Sequence, residues 1–129
     1  MNALRIFLPH LLFFLLFAGT LQVVAQHAPV LNDTSEIFKF VHSDLDNWIR
    51  SEDFQKFKMR HFPEVKGTIV IDLSVSGKGK IETVFNQENT TGNISFVNSF
   101  TSLLKKHTFP FKLKKGARYK ITHTFTIQP

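Results

Sequence analysis

Four aliphatic side chains, Ile69, Ile71, Leu73 and Val75, fall on every second residue of one short stretch, with Thr68, Asp72, Ser74 and Ser76 at the alternate positions and Val70 the one exception. Side chains on a strand alternate between its two faces, so this spacing predicts a half-buried β-strand. The run Ser76-Gly77-Lys78-Gly79-Lys80 follows. Its glycines supply two positions that accept positive φ without a Cβ clash. Ile81 to Phe85 then resumes a strand, which makes Gly67 to Asn86 a hairpin. Two strands alone bury too little apolar surface to be stable in water, so the flanking chain must cover one face.

Upstream, Asp33-Thr34-Ser35-Glu36 carries side-chain oxygens able to cap free amides, and it starts a helix. Ile37, Val41, Leu45 and Trp48 give that helix an apolar stripe, widened by Phe38 and Ile49. Trp48 is expected to anchor the core. Ser51-Glu52-Asp53 either restarts a helix through Phe54 and Phe57 or continues the first, and His61-Phe62-Pro63 ends it. After the hairpin, Asn86 to Gly92 reads as a polar connection, and Asn93 caps a helix from Ile94 to about Lys106. In the last strand Tyr119, Ile121, His123, Phe125 and Ile127 alternate with Arg118, Lys120, Thr122, Thr124 and Thr126. The fold class is therefore α+β: a ββαβ core preceded by an N-terminal helix. Its small antiparallel sheet, hairpin plus C-terminal strand, has helices packed on one face.

At 129 residues there is room for one domain, spanning residues 34–129. Arg5, the apolar run from Ile6 to Phe17 and the exit at Val23-Val24-Ala25 have the layout of a signal peptide over residues 1–25, cleaved after Ala25. The alternative is an inner-membrane anchor formed by residues 6–25. Either way the remainder is exported, most simply to a periplasm, and residues 26–33 form a disordered or extended lead-in. There is no cysteine, so the domain relies on its core, to which those of the chain's fifteen phenylalanines that lie beyond the leader, all but Phe7, Phe13, Phe14 and Phe17, can contribute.

The span from Phe62 to Ile127 carries a set of familiar pieces: Phe62-Pro63, the alternating run from Gly67 to Val75, Gly79 to Val84, Phe109-Pro110-Phe111, Lys115-Gly116 and the strand Tyr119 to Ile127. In this order the span resembles the C-terminal domain of TonB, the periplasmic energy transducer, and its stand-alone relatives. The resemblance implies a binding fold linked to transport across the outer membrane, in which an exposed sheet edge receives a partner segment.

The histidines show no metal-ligand spacing, and no nucleophile or phosphate-loop motif is present. His123 falls on the apolar face of the last strand and is expected to be a hydrogen-bonded core residue. Asp44 and Asp46 share a helix two residues apart, so their side chains diverge. No catalytic, cofactor or metal residue is assigned, and an unrecognised small enzyme stands as the third reading. The first is an envelope-protein binder that pairs with an extended segment along Arg118, Lys120, Thr122, Thr124 and Thr126. The same edge could pair two copies of the chain. The second rests on charge. The net charge is +6, and no acid follows Glu88, so Lys105, Lys106, Lys112, Lys114 and Lys115, with Arg118 and Lys120, could bind anionic lipid or polysaccharide. Nucleic acid is not expected as a partner of an exported chain whose aromatics occupy core positions.

Overall fold

The computed structural model describes residues 28–129, and the expected signal peptide or anchor lies outside the described residues. Helices α1 (Thr34–Arg50) and α2 (Glu52–His61) meet at Ser51, whose extended backbone (φ −60°, ψ 150°) ends one and begins the other. Ser51 Oγ accepts from the Phe54 amide at 3.3 Å, while its own amide donates to the Trp48 carbonyl at 3.1 Å. A residue able to cap both ways converts one amphipathic pattern into two helices. Asp33 caps α1 through the Glu36 amide at 3.0 Å. Asn93 caps a third helix, α3 (Ile94–Lys105), through the Phe96 amide at 2.9 Å.

The sheet places the Gly67–Ser76 strand in the centre, antiparallel to the Lys80–Asn89 strand on one side and the Arg118–Ile127 strand on the other. Two further strands are only two residues long. Val30–Leu31 runs parallel to Lys112–Leu113. In chain order the strands are β1 (Val30–Leu31), β2 (Gly67–Ser76), β3 (Lys80–Asn89), β4 (Lys112–Leu113) and β5 (Arg118–Ile127). The architecture is α+β, as expected.

One face of the sheet carries the core. Ile69, Ile71, Leu73 and Val75 from β2 and Ile121, Phe125 and Ile127 from β5 are buried against Ile37, Val41 and Leu45 of α1 and Phe96, Phe100 and Leu104 of α3. Aromatic rings fill the middle. The Phe100 ring stands edge-on to Phe125 at 4.9 Å, to Trp48 at 5.4 Å and to Phe54 at 5.8 Å between centroids. Edge-to-face pairs add roughly 0.5–1.5 kcal/mol each beyond the area they bury. Trp48 anchors the core as expected.

Three details differ from the sequence reading. Residues 26–33 are not all a free lead-in: Val30 and Leu31 pair with β4, and Leu31 is only 8% exposed, because Leu31 and Leu113 join the core. The second hairpin strand runs on to Asn89, well into the stretch read as a connection. Its register with β2 shifts twice, leaving Glu82 and Gln87 as extra residues, and each bulge reverses which face later side chains occupy. Finally, of the two turn glycines only Gly79 has positive φ, at 72°. Phe109 and Leu113 close over that turn, their amides donating to the carbonyls of Gly79 at 2.8 Å and Gly77 at 2.9 Å.

Candidate functional site

With β2 in the centre, β3 and β5 are the two edges, and they are not equivalent. β3 carries the two bulges, and its first residue is bridged by Thr108. β5 pairs with β2 over ten residues without a shift, from Gly67 opposite Ile127 to Ser76 opposite Arg118. Among the described residues no strand pairs with its other side. Bulges and cover blunt an edge, whereas a regular uncovered strand is a template for another.

Beside the β5 edge the helices leave a cleft of about 340 Å³, lined by Asp46, Ile49 and Arg50 of α1 with Thr124, Phe125, Thr126 and Gln128. It adjoins a smaller one of about 50 Å³ that shares Ile49, Arg50, Thr126 and Gln128 and adds Gln55 and Lys58 of α2. Lys58 is only 2% exposed, yet among the described residues its ammonium meets a single acceptor, the Pro63 carbonyl at 3.4 Å. A buried ammonium carries three donors and needs acceptors for them.

On the far side of the sheet from the helices, the even-numbered side chains of β5 face solvent. Three of the five residues expected to form the partner edge reach across this open face to β2. Thr122 Oγ1 donates to Asp72 at 2.5 Å, Lys120 Nζ lies 3.4 Å from the same carboxylate, and Arg118 donates to Ser74 Oγ at 3.1 Å. Gln87 of β3 also donates to Asp72. These donors, Thr122 foremost, hold the Asp72 carboxyl below its ordinary value against the opposing effect of burial. Asp72 thus ties all three strands together. Thr124 and Thr126 instead border the cleft. Above Asp72 and Ser74 a hollow of about 460 Å³ is bordered by Thr83, Phe85, Arg118 and Lys120, with the Phe85 ring 66% exposed.

The basic residues come from different elements. Arg118 and Lys120 belong to the open sheet face, Lys105 and Lys106 to the end of α3 in the helix layer, and Lys112, Lys114 and Lys115 to β4 and the turn before β5. All seven are exposed.

His123 is the buried, hydrogen-bonded residue that its strand position implies. Its Nδ1 lies 2.6 Å from Nδ1 of His42, and its Nε2 lies 3.1 Å from Asp46. Asp44, two residues earlier, points elsewhere and meets His107 Nε2 at 2.5 Å. Sequence reasoning did not find these partners, because each pair joins residues more than sixty positions apart. Lys58 did leave a signal: it stands four residues after buried Phe54, on the same helix face.

Among the described residues no group of three or more His, Asp or Glu side chains is placed to hold a metal ion, and no helix is long and apolar enough to cross a membrane. No family model matches the chain, and neither a curated protein nor a solved structure matches it.

Proposed function

We propose that this chain is an exported binding module that takes up an extended segment of an envelope protein as a fourth strand along β5. The observation that carries the reading is the contrast between the two sheet edges. β5 is regular over ten residues, unpaired on its outer side among the described residues, and flanked by clefts that can receive the core-facing side chains of an added strand. Backbone amides and carbonyls would supply affinity, and the alternate side chains would choose the partner. The resemblance of Phe62 to Ile127 to the C-terminal domain of TonB supports this reading, since in that family a sheet edge receives the partner segment. Export rests on the leader-like residues 1–25. A role in transport across the outer membrane follows from the resemblance alone.

Capture from envelope extract by the full chain, washed at low and high salt, tests the proposal. Prolines at Tyr119 and at Thr122 remove amides that point to opposite sides of β5. The variant whose circular dichroism is unchanged has lost the outward amide, and it is expected to lose the partner as well. A protein partner retained at high salt and lost in that variant supports edge pairing. Capture of lipid or polysaccharide that disappears with salt would instead assign binding to the exposed lysines.

A further inference from the structure

We infer that the segment received along β5 carries a carboxylate side chain that enters the end of the groove and pairs with Lys58, with an aliphatic residue two positions away lying over Ile49. The inference rests on the edge-pairing reading and adds the chemistry of the partner to it. Its starting point is Lys58, which among the described residues is buried without an acidic partner, its ammonium held only by the distant Pro63 carbonyl. An ammonium in that position gains most from an ionised acceptor, and the desolvated surroundings strengthen such a pair.

The groove has the shape and polarity for this. Its inner end, about 50 Å³, is the size of one carboxylate group and is bordered by Lys58, Arg50, Gln55 and Gln128. Among the described residues, Arg50 spends its Nε on the Asp46 carbonyl at 3.0 Å and makes only a 3.5 Å contact to Asn47 with one terminal nitrogen, so donors remain on its guanidinium. Gln55 is already committed to the Ile49 carbonyl at 2.8 Å. The outer end of the groove has the opposite character, because Asp46 stands there beside Phe125. An acidic residue opposite Phe125 would face Asp46, whereas one opposite Ile127 would approach Lys58 and Arg50.

The side chains of an added strand that face the helices are those opposite the odd-numbered residues of β5, Phe125 and Ile127 among them. The positions opposite these two are separated by a single residue. The partner pattern is therefore an aliphatic residue and a glutamate or aspartate two apart, the acid lying toward the C-terminal end of β5. The order in which they occur in the partner reports whether its strand runs parallel or antiparallel to β5. Such a pattern also sets the register, since a one-residue slip moves both side chains to the wrong face.

The test uses four ten-residue peptides rich in threonine and valine, titrated into the isotope-labelled full chain and followed by amide chemical shifts. Two carry valine and glutamate two apart, one in each order, and the other two carry glutamine in place of glutamate. One glutamate peptide is expected to shift β5 amides and to bind at least about ten-fold tighter than its glutamine counterpart, the scale of a charge-assisted hydrogen bond. Lys58→Met, which keeps the apolar stem, should erase that difference, and Lys58→Arg should retain most of it. If glutamate and glutamine peptides shift β5 equally, or if Lys58→Met leaves the preference intact, the carboxylate site is wrong while edge pairing stands. If no peptide shifts β5, the edge-pairing reading fails and takes this inference with it.

Discussion

Nδ1 of His42 on α1 lies 2.6 Å from Nδ1 of His123 on β5, so one of these two nitrogens carries a hydrogen and the other accepts it. The choice is set by Asp46, which lies 3.1 Å from the other nitrogen of His123. A carboxylate accepts, so His123 donates through Nε2 and its Nδ1 is left to accept from His42. The three residues form a directed chain from His42 through His123 to Asp46, fastening α1 to the edge strand. Nitrogen chemical shifts should report the Nε2–H tautomer for His123 and an Nδ1–H on His42.

Burial holds the His123 ring below its ordinary value of 6.5; Asp46 pulls the other way, and His42 adds to the lowering. The fold thus favours the neutral ring. Its contribution is whole above pH 6.5 and is lost as the pH falls from there through the depressed folded value. A doubly protonated pair would also set two N–H groups against each other. Thermal melts of the chain between about pH 7 and about pH 5 should show a falling midpoint, and His123→Leu should flatten that slope while lowering stability at neutral pH.

Asp72 gives a separate acid signature. Its folded pKa is depressed below 3.8, chiefly by the Thr122 hydroxyl and further by Gln87 and Lys120. The stability it contributes is therefore present above pH 3.8 and lost as pH drops through the depressed value. Asp72→Asn should destabilise the chain at neutral pH and lack this acid loss, as read by urea midpoints across the acid range. Thr122→Val, which removes the main donor, should raise the Asp72 pKa in a carboxyl-carbon titration.

Two glycines with similar backbones separate strain from crowding. Gly79 has φ 72° and Gly116 φ 82°, conformations that cost an L-residue roughly 1–2 kcal/mol. A Cβ at Gly116 meets nothing within 4 Å, whereas one at Gly79 would collide with the Phe111 carbonyl oxygen and sit 2.8 Å from that of Phe109. Gly116→Ala should cost about 1 kcal/mol. Gly79→Ala should cost clearly more, about 3 kcal/mol or above, because the Phe109–Leu113 segment that closes the turn must move. Equilibrium unfolding in urea distinguishes the two.

Phe100 is the ring on which the helix layer and the sheet converge, and it is fully buried. Phe100→Ala should cost about 3–5 kcal/mol, and Phe100→Leu about half as much, as judged by the same unfolding curves.

The elements with a clean period were legible. The alternation of β2 and β5, the Asp33 and Asn93 caps and the stripe of Ile37, Val41 and Leu45 depend on neighbours within a few residues, and the structure places them as the pattern implies. β3 was legible only in its first half, because Asn86 to Asn89 are all polar and the bulge at Gln87 leaves no alternation there to read. β1 and β4 were invisible because a two-residue strand has no period to read. The regularity of β5 could be read from Tyr119 to Ile127, but its edge position and the cleft beside it arise from strand order and helix placement. The same applies to Lys58: its spacing from Phe54 marks a buried face, while the shortage of acceptors around its ammonium among the described residues is a tertiary fact.

The most direct measurement is a photo-crosslinking scan in living cells. A benzophenone side chain would be placed in turn at Arg118, Lys120, Thr122, Thr124 and Thr126 of β5, with Thr83 and Glu88 of β3 and Lys106 and Lys115 as comparisons. Edge pairing predicts crosslinks from the β5 positions to one extended stretch of an envelope protein, the contacted residue advancing by about two for each step of two along β5. Crosslinks concentrated on β3, or on Lys106 and Lys115 with none along β5, would contradict it.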